Sequence, residues 1–152
     1  MDITETVKKI IEDILLQMSI SATVTFEESV SKGLVFNIQS QDSQLLIGRQ
    51  GANLHALQSL VRQIAVKQLQ SPEPIYFSVD VDDYKSKREW YLKETAKAAV
   101  QQIKRTGRGV ALEPMPNYER RIIHSYLQEN SPDVYTESTG LEPARRIVIK
   151  LK

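Results

Sequence analysis

Cysteine is absent from this 152-residue chain, which removes disulfides, thiolate zinc sites and cysteine nucleophiles together. Histidine is almost as scarce. His55 and His124 fall on segments that read as different helices, so the convergent ligands of a metal centre are missing as well. No apolar run approaches the roughly 18 residues that a membrane-spanning helix needs. The opening Met1-Asp2-Ile3-Thr4-Glu5 is acidic and has no basic stretch before an apolar one, unlike a secretory leader. Internal repeats and low-complexity tracts are also lacking. The expectation is a soluble cytoplasmic protein of one or two small domains, with no membrane insertion, no metal and no cofactor.

A dominant charge is the next thing missing, since 20 Lys/Arg stand against 19 Asp/Glu, for a net charge of +1. The distribution is uneven, however. Residues 1–83 hold 6 Lys/Arg and 11 Asp/Glu, a balance of −5, and residues 84–152 hold 14 and 8, a balance of +6. Such asymmetry points to two domains, the second suited to a polyanion. Two ordinary solvated surfaces would give the same numbers, so charge alone does not decide.

What is present is a clear succession of periodic segments. Ile3, Val7, Ile10, Ile14 and Met18 trace a helical stripe over residues 3–18, started by Asp2 with Glu5 in a capping-box spacing. Two alternating segments follow, Ala22-Val24-Phe26 and Leu34-Phe36-Ile38, around a turn at Ser31-Lys32-Gly33. A short helix is expected over Gln44 to Ile47 and a longer one over Ala52 to Leu69, before a strand alternating Ile75, Phe77, Val79 and Val81. This α-β-β-α-α-β order describes an α+β domain of antiparallel strands covered on one face by helices, over residues 1–82. A second domain, 83–152, opens with a helix from about Asp83 to Arg105 with a stripe of Leu92, Ala96, Ala99 and Ile103. A short strand at Val110–Leu112, a helix from Asn117 to Glu129 and strands near Val134–Ser138 and Arg146–Leu151 predict a small antiparallel or mixed sheet.

Gly48-Arg49-Gln50-Gly51 lies between two of these helices. A sharp helix-loop-helix turn leaves backbone N–H groups unpaired at the start of the second helix, where the dipole favours an anion. Glycine at both ends lets the main chain approach a sugar-phosphate backbone closely, and Arg49 and Gln50 add donors. By itself a G-x-x-G spacing also fits a bare turn. Set inside α-β-β-α-α-β it resembles a KH domain of type II topology, whose loop clamps about four nucleotides of single-stranded nucleic acid. Ile47, Leu54 and residues 34–39 would then border the base groove, although Leu54 and Phe36 fit the core better. The Gly-Lys-Ser/Thr ending of a triphosphate-binding loop is absent.

In the second half, Arg120 and His124 stand four apart on one helix. With Arg121 and Gln128 they make a polar face opposite Ile122, Ile123, Tyr126 and Leu127. Guanidinium and imidazole groups side by side suit phosphate, while a histidine bonded to a neighbouring carbonyl would be purely structural. The Arg-x-x-x-His spacing also defines a known nucleic-acid-binding module, and Ser138-x-Gly140-x-Glu142-Pro143-x-Arg145-Arg146-Ile147-Val148-Ile149 looks like its tail.

Leu46-Ile47-Gly48-Arg49-Gln50-Gly51, Leu57-Gln58-x-Leu60-Val61, Arg105-Thr106-Gly107-Arg108, Leu112-Glu113-Pro114-Met115 and Tyr118-Glu119-Arg120-Arg121-Ile122-Ile123-His124 occur in one order along the chain. Together they resemble the Jag/KhpB family of SpoIIIJ-associated bacterial RNA-binding proteins. The resemblance implies single-stranded RNA binding, a post-transcriptional or RNA-chaperone role, a link to cell elongation or division, and pairing with a small KH-only protein. The implied contacts are Gly48, Arg49, Gln50 and Gly51 in the loop and Arg120, Arg121, His124, Arg145 and Arg146 in the second domain. Arg105 and Arg108 are further candidates for phosphate. Many family members carry another N-terminal domain and linker ahead of the helix at which this sequence starts, so functions resting on that part are not implied.

Two other functions use the same residues. A metal-dependent nuclease would draw on His124 or on Asp80, Asp82 and Asp83, but no nucleophile-base-orienter set accompanies them. A protein-interaction scaffold, including a homodimer, would use the KH-like surface with Trp90 and Tyr91. The expectation is a binding protein without turnover, taking single-stranded RNA and, by the same chemistry, single-stranded DNA.

Overall fold

The computed structural model describes residues 2–152, so Met1 of the acidic opening lies outside the described residues. The chain divides into two compact units, Met1–Lys85 and Ser86–Lys152. In the first unit the order is α1 (Ile3–Gln17), β1 (Ala22–Ser29), β2 (Gly33–Ser40), α2 (Ser43–Ile47), α3 (Ala52–Leu69) and β3 (Ser78–Val81). Asp2 caps α1 by accepting from the Thr4 backbone N–H at 3.1 Å. The buried line of α1 runs through Val7, Ile10, Ile11 and Leu15, while Ile3 and Met18 at the ends of the expected stripe are exposed.

β1 and β2 pair antiparallel in register Val24↔Ile38 and Phe26↔Phe36, but β3 joins β2 in parallel, Phe36↔Val79 and Ile38↔Val81. The sheet is therefore mixed, not antiparallel as expected. Its parallel edge follows from the connection, because the α2–α3 excursion works as a crossover that brings the chain back in the same direction. β3 is also shorter than its alternation suggests. Ile75 and Phe77 are buried, yet the backbone around them bonds to α3 side chains: Arg62 donates to the Phe77 carbonyl and Gln58 Oε1 accepts from Val79 N–H, each at 2.9 Å. Phe36 fills the centre, edge-on to Phe77 with ring centroids 5.7 Å apart. Leu54, Leu57, Val61 and Ala65 of α3 close this core.

The second unit contains most of α4 (Tyr84–Thr106), then β4 (Val110–Ala111), α5 (Asn117–Asn130), β5 (Val134–Thr139) and β6 (Arg146–Leu151). Its sheet has the order β4-β6-β5 and is antiparallel throughout. Leu92, Ala96, Ala99, Val100 and Ile103 of α4 and Ile123 and Leu127 of α5 pack with Val134, Ile147 and Ile149. Buried among them is a charge pair: Glu119 is 0% exposed and receives Arg88 Nε and a terminal Arg88 nitrogen at 2.8 and 3.0 Å. The Arg88 guanidinium also lies over the Tyr91 ring, 5.2 Å from its centroid. Trp90 and Tyr91 are exposed. Among the described residues no helix is long and apolar enough to cross a membrane.

Candidate nucleic-acid interface

The first candidate site is the turn between α2 and α3. Gly48 (φ 71°), Gln50 (φ 53°) and Gly51 (φ 78°) all take positive φ, with Arg49–Gly51 forming a single 3-10 turn. A side chain at Gly48 would have its Cβ 2.5 Å from Asn53 Cγ, and one at Gly51 would meet the Tyr84 ring at 2.8 Å. The glycines thus have two independent reasons to be there, backbone conformation and lack of room. Asn53 fastens the turn by donating from Nδ2 to the Leu45 carbonyl at 2.8 Å. Gly51 is the N-cap of α3 and no side chain caps the helix; the Gly51 and Ala52 N–H groups bond back to the Gly48 and Arg49 carbonyls, so what the helix start offers an external anion is the positive end of its dipole. Arg49 is exposed, and Ile47 beside the turn is half-buried. Leu54 and Phe36 belong to the core and do not border a groove.

Asp80 lies further along this unit, at the edge of the sheet. Its Oδ1 accepts from the backbone N–H groups of Val81 at 2.8 Å and Lys85 at 3.2 Å, which ties β3 to the first turn of α4. Burial pushes the carboxyl above its ordinary value, and those two hydrogen bonds only partly oppose the shift. Asp82 and Asp83 follow in left-handed conformation, φ 47° and 56°, forming the bend between β3 and α4. The aspartate cluster therefore has a local structural use, as a bend and a helix-start acceptor.

The second candidate site sits on α5 and the segment before β6. The structure corrects the expected polar face here. Arg120 is only 6% exposed, with one guanidinium nitrogen donating to the Met115 carbonyl at 2.6 Å and the other to Glu142 Oε1 at 2.7 Å. The reason lies in helix geometry. Arg120 is seven residues before Leu127, which at about 100° per residue leaves the two only about 20° apart on the helix, so it lies within the buried stripe. His124 is exposed, and its Nδ1 is hydrogen-bonded to Thr136 Oγ1 of β5. Arg121 is exposed on α5, about 100° round the helix from Arg120.

Arg145 is half-buried and donates to the Gly140 carbonyl at 2.8 Å, which closes the 140–145 turn that Glu142 joins to Arg120. Arg146, half-buried, opens β6. Arg105 and Arg108 are exposed around the C-terminal end of α4. Within this unit, then, Arg120 and Arg145 bond to the 140–145 turn, Arg146 follows it at the start of β6, and Arg121 is presented separately. Thr136, Asn53 and Glu142 were not among the expected site residues. The Glu142-Pro143 tail motif pointed at the last, and nothing in the sequence pointed at Thr136 beyond its place in a strand.

Two family models divide the chain between them. The KhpA/KhpB KH domain matches residues 4–73, and the R-3-H domain, named for the Arg-x-x-x-His spacing, matches residues 91–151. Similar curated proteins include RNA-binding protein KhpB of Clostridium symbiosum, 39% identical over 137 residues, which are 90% of this chain and 60% of that protein. RNA-binding protein KhpB of Bacillus subtilis is 34% identical over 130 residues, 85% of this chain and 61% of that protein. That of Lactiplantibacillus plantarum is 32% identical over 151 residues, 97% and 46%. The chain thus spans roughly half to three fifths of the length of these relatives. With a type II KH topology around its glycine turn, a second α+β unit around Arg120 and His124, and both family matches in that order, the chain belongs to the Jag/KhpB family.

Proposed function

We propose that this chain binds single-stranded RNA without chemical turnover, as a post-transcriptional regulator or RNA chaperone in the cytoplasm. The KH-like domain over residues 1–82 would hold the sugar-phosphate backbone at Gly48, Arg49, Gln50 and Gly51, and the domain over 83–152 would add phosphate contacts from Arg121, His124, Arg145 and Arg146, with Arg105 and Arg108 extending them. The observation that carries this reading is the α2–α3 turn: an uncapped helix start, two glycines without room for a side chain and an exposed arginine at one point of the chain. That combination fits a phosphate better than a bare turn, which needs neither the open helix start nor the guanidinium. The relatives named above are all RNA-binding proteins, which supports it. A small KH-only protein is the proposed partner.

The test is a titration of fluorescent single-stranded RNA, the matching RNA duplex and single-stranded DNA at two salt concentrations. We expect preference for single strands, a steep loss of affinity with salt, and weakening by Arg49→Asp/Gln50→Asp. Absence of any nucleic-acid binding by the folded protein would sink this function and leave a protein scaffold in its place. Metal-dependent RNA cleavage that His124→Ala abolishes would make the chain an enzyme instead.

A further inference from the structure

β6 alternates buried Ile147 and Ile149 with Arg146, Val148 and Lys150, which point away from the core. On β5, Val134 enters the core and Thr136 meets His124 of α5, so Tyr135, Glu137 and Thr139 face the other way. The ladder sets these outward residues side by side. Tyr135 lies opposite Lys150, Glu137 opposite Val148 and Thr139 opposite Arg146, and Ala111 of β4 flanks Val148. Both helices of the unit contribute their buried residues to the inner face. The outer face therefore carries a tyrosine 38% exposed, the cations Arg146 and Lys150, the carboxylate of Glu137 and the smaller side chains Ala111, Thr139 and Val148.

We propose that this outer sheet face is a second contact surface for single-stranded RNA, with a base stacked on Tyr135 and backbone phosphates against Lys150 and Arg146. It rests on the RNA-binding reading above and adds a site separate from the glycine turn. Lys150 and Arg146 are four residues apart on one strand, about 13 Å, which an extended single strand covers in about two nucleotides. A ring on a flat, open sheet is of use only to an unstacked base, which selects single strands over duplex. Val148 and Ala111 between and beside the cations let a base lie flat. Glu137 is the one opposing charge, paired with Lys150 at 3.4 Å. Both partners are about half exposed, so a phosphate can displace that weak pair.

The experiment uses the whole chain and a fluorescent oligouridine of about a dozen nucleotides, about three times the four that a KH-type loop holds. Thermal melts confirm that each variant is folded. Tyr135→Phe should bind as the parent does, and Tyr135→Leu should bind roughly tenfold more weakly. Arg146→Gln/Lys150→Gln should weaken binding and flatten the slope of log affinity against log salt by about 1.4, the value for two lost phosphate contacts. A 2-aminopurine base in the oligomer should stay quenched in Arg49→Asp/Gln50→Asp at saturating protein and lose its quenching in Tyr135→Leu. Unchanged affinity and salt slope in folded Tyr135→Leu and Arg146→Gln/Lys150→Gln would overturn this surface while leaving the glycine turn as the RNA site. No binding by the parent chain would overturn both.

Discussion

Arg120 and Glu142 form an ion pair of 2.7 Å in which the arginine is almost wholly buried and the glutamate side chain is 58% exposed. The arginine that gives the Arg-x-x-x-His motif its first letter is thus directed inward. It links three segments: its own helix, the chain at Met115 and the turn that carries Arg145. Of the two motif residues His124 is the exposed one, and on the RNA-binding reading proposed above Arg120 would act through the turn it holds.

Removing that arginine should cost stability first. Arg120→Ala leaves the buried Met115 carbonyl without its donor and frees the 140–145 turn, a loss of about 1–3 kcal/mol in urea unfolding. Arg120→Lys should recover little, because a point-charge ammonium cannot span both acceptors as the planar fork does. Full stability in Arg120→Ala would contradict the clamp.

The glycine turn calls for a different kind of variant. Gly48→Ala forces a Cβ at positive φ onto the Asn53 side chain, so it should lower stability by about 1 kcal/mol or more. RNA affinity lost in such a variant would therefore not identify a contact. Arg49→Asp/Gln50→Asp leaves both glycines in place, and should unfold within about 0.5 kcal/mol of the parent while losing RNA affinity. Comparing the two melting temperatures with the two binding curves separates shape from contact.

Arg88 and Glu119 are a buried charge pair, and the two ways of deleting it should differ. Glu119→Ala strands a partly buried guanidinium and should cost about 3–5 kcal/mol. Replacing both, as Arg88→Met/Glu119→Leu, removes the desolvation cost along with the attraction and should lose much less. Chemical denaturation of the single and double variants checks the order. A double variant as unstable as the single would mean the pair is a net source of stability.

Asp80 supplies a dependence on pH. Burial raises its carboxyl pKa above the ordinary 3.8, so the folded chain takes up this proton at a higher pH than the unfolded one. Its contribution to stability is present below the unfolded value and is lost as pH rises through the raised folded value. Asp80→Asn keeps an oxygen for the Val81 and Lys85 N–H groups and removes the titration. Stability of the parent relative to Asp80→Asn should therefore improve as pH falls from neutrality toward about 4, measured by urea titration at several pH values. A difference that does not change over that range would refute the assignment.

The α-β-β-α-α-β order was legible because α1 and α3 carry a period near 3.6 and the strands a period of two, each set by local backbone geometry. The glycine turn was legible for a similar reason, as glycine is the residue that such φ values demand. The parallel pairing of β3 was not, since alternation in a strand names its faces but not its neighbour's direction. The burial of Arg120 was missed because sequence periodicity sorts residues by polarity, and a paired arginine can occupy an apolar stripe.

By itself the sequence determined the order of elements, the separation into two units, the place of the uncapped turn and the excess of cations in the second half. Those properties reside in local conformation and in composition. Only the tertiary structure decided which cations face solvent, that Thr136 holds His124, that Glu142 holds Arg120, and that Tyr135, Arg146 and Lys150 share a sheet face. Each of these depends on contacts between residues distant in the chain. Such contacts exist only once the core has packed and fixed the register of the strands.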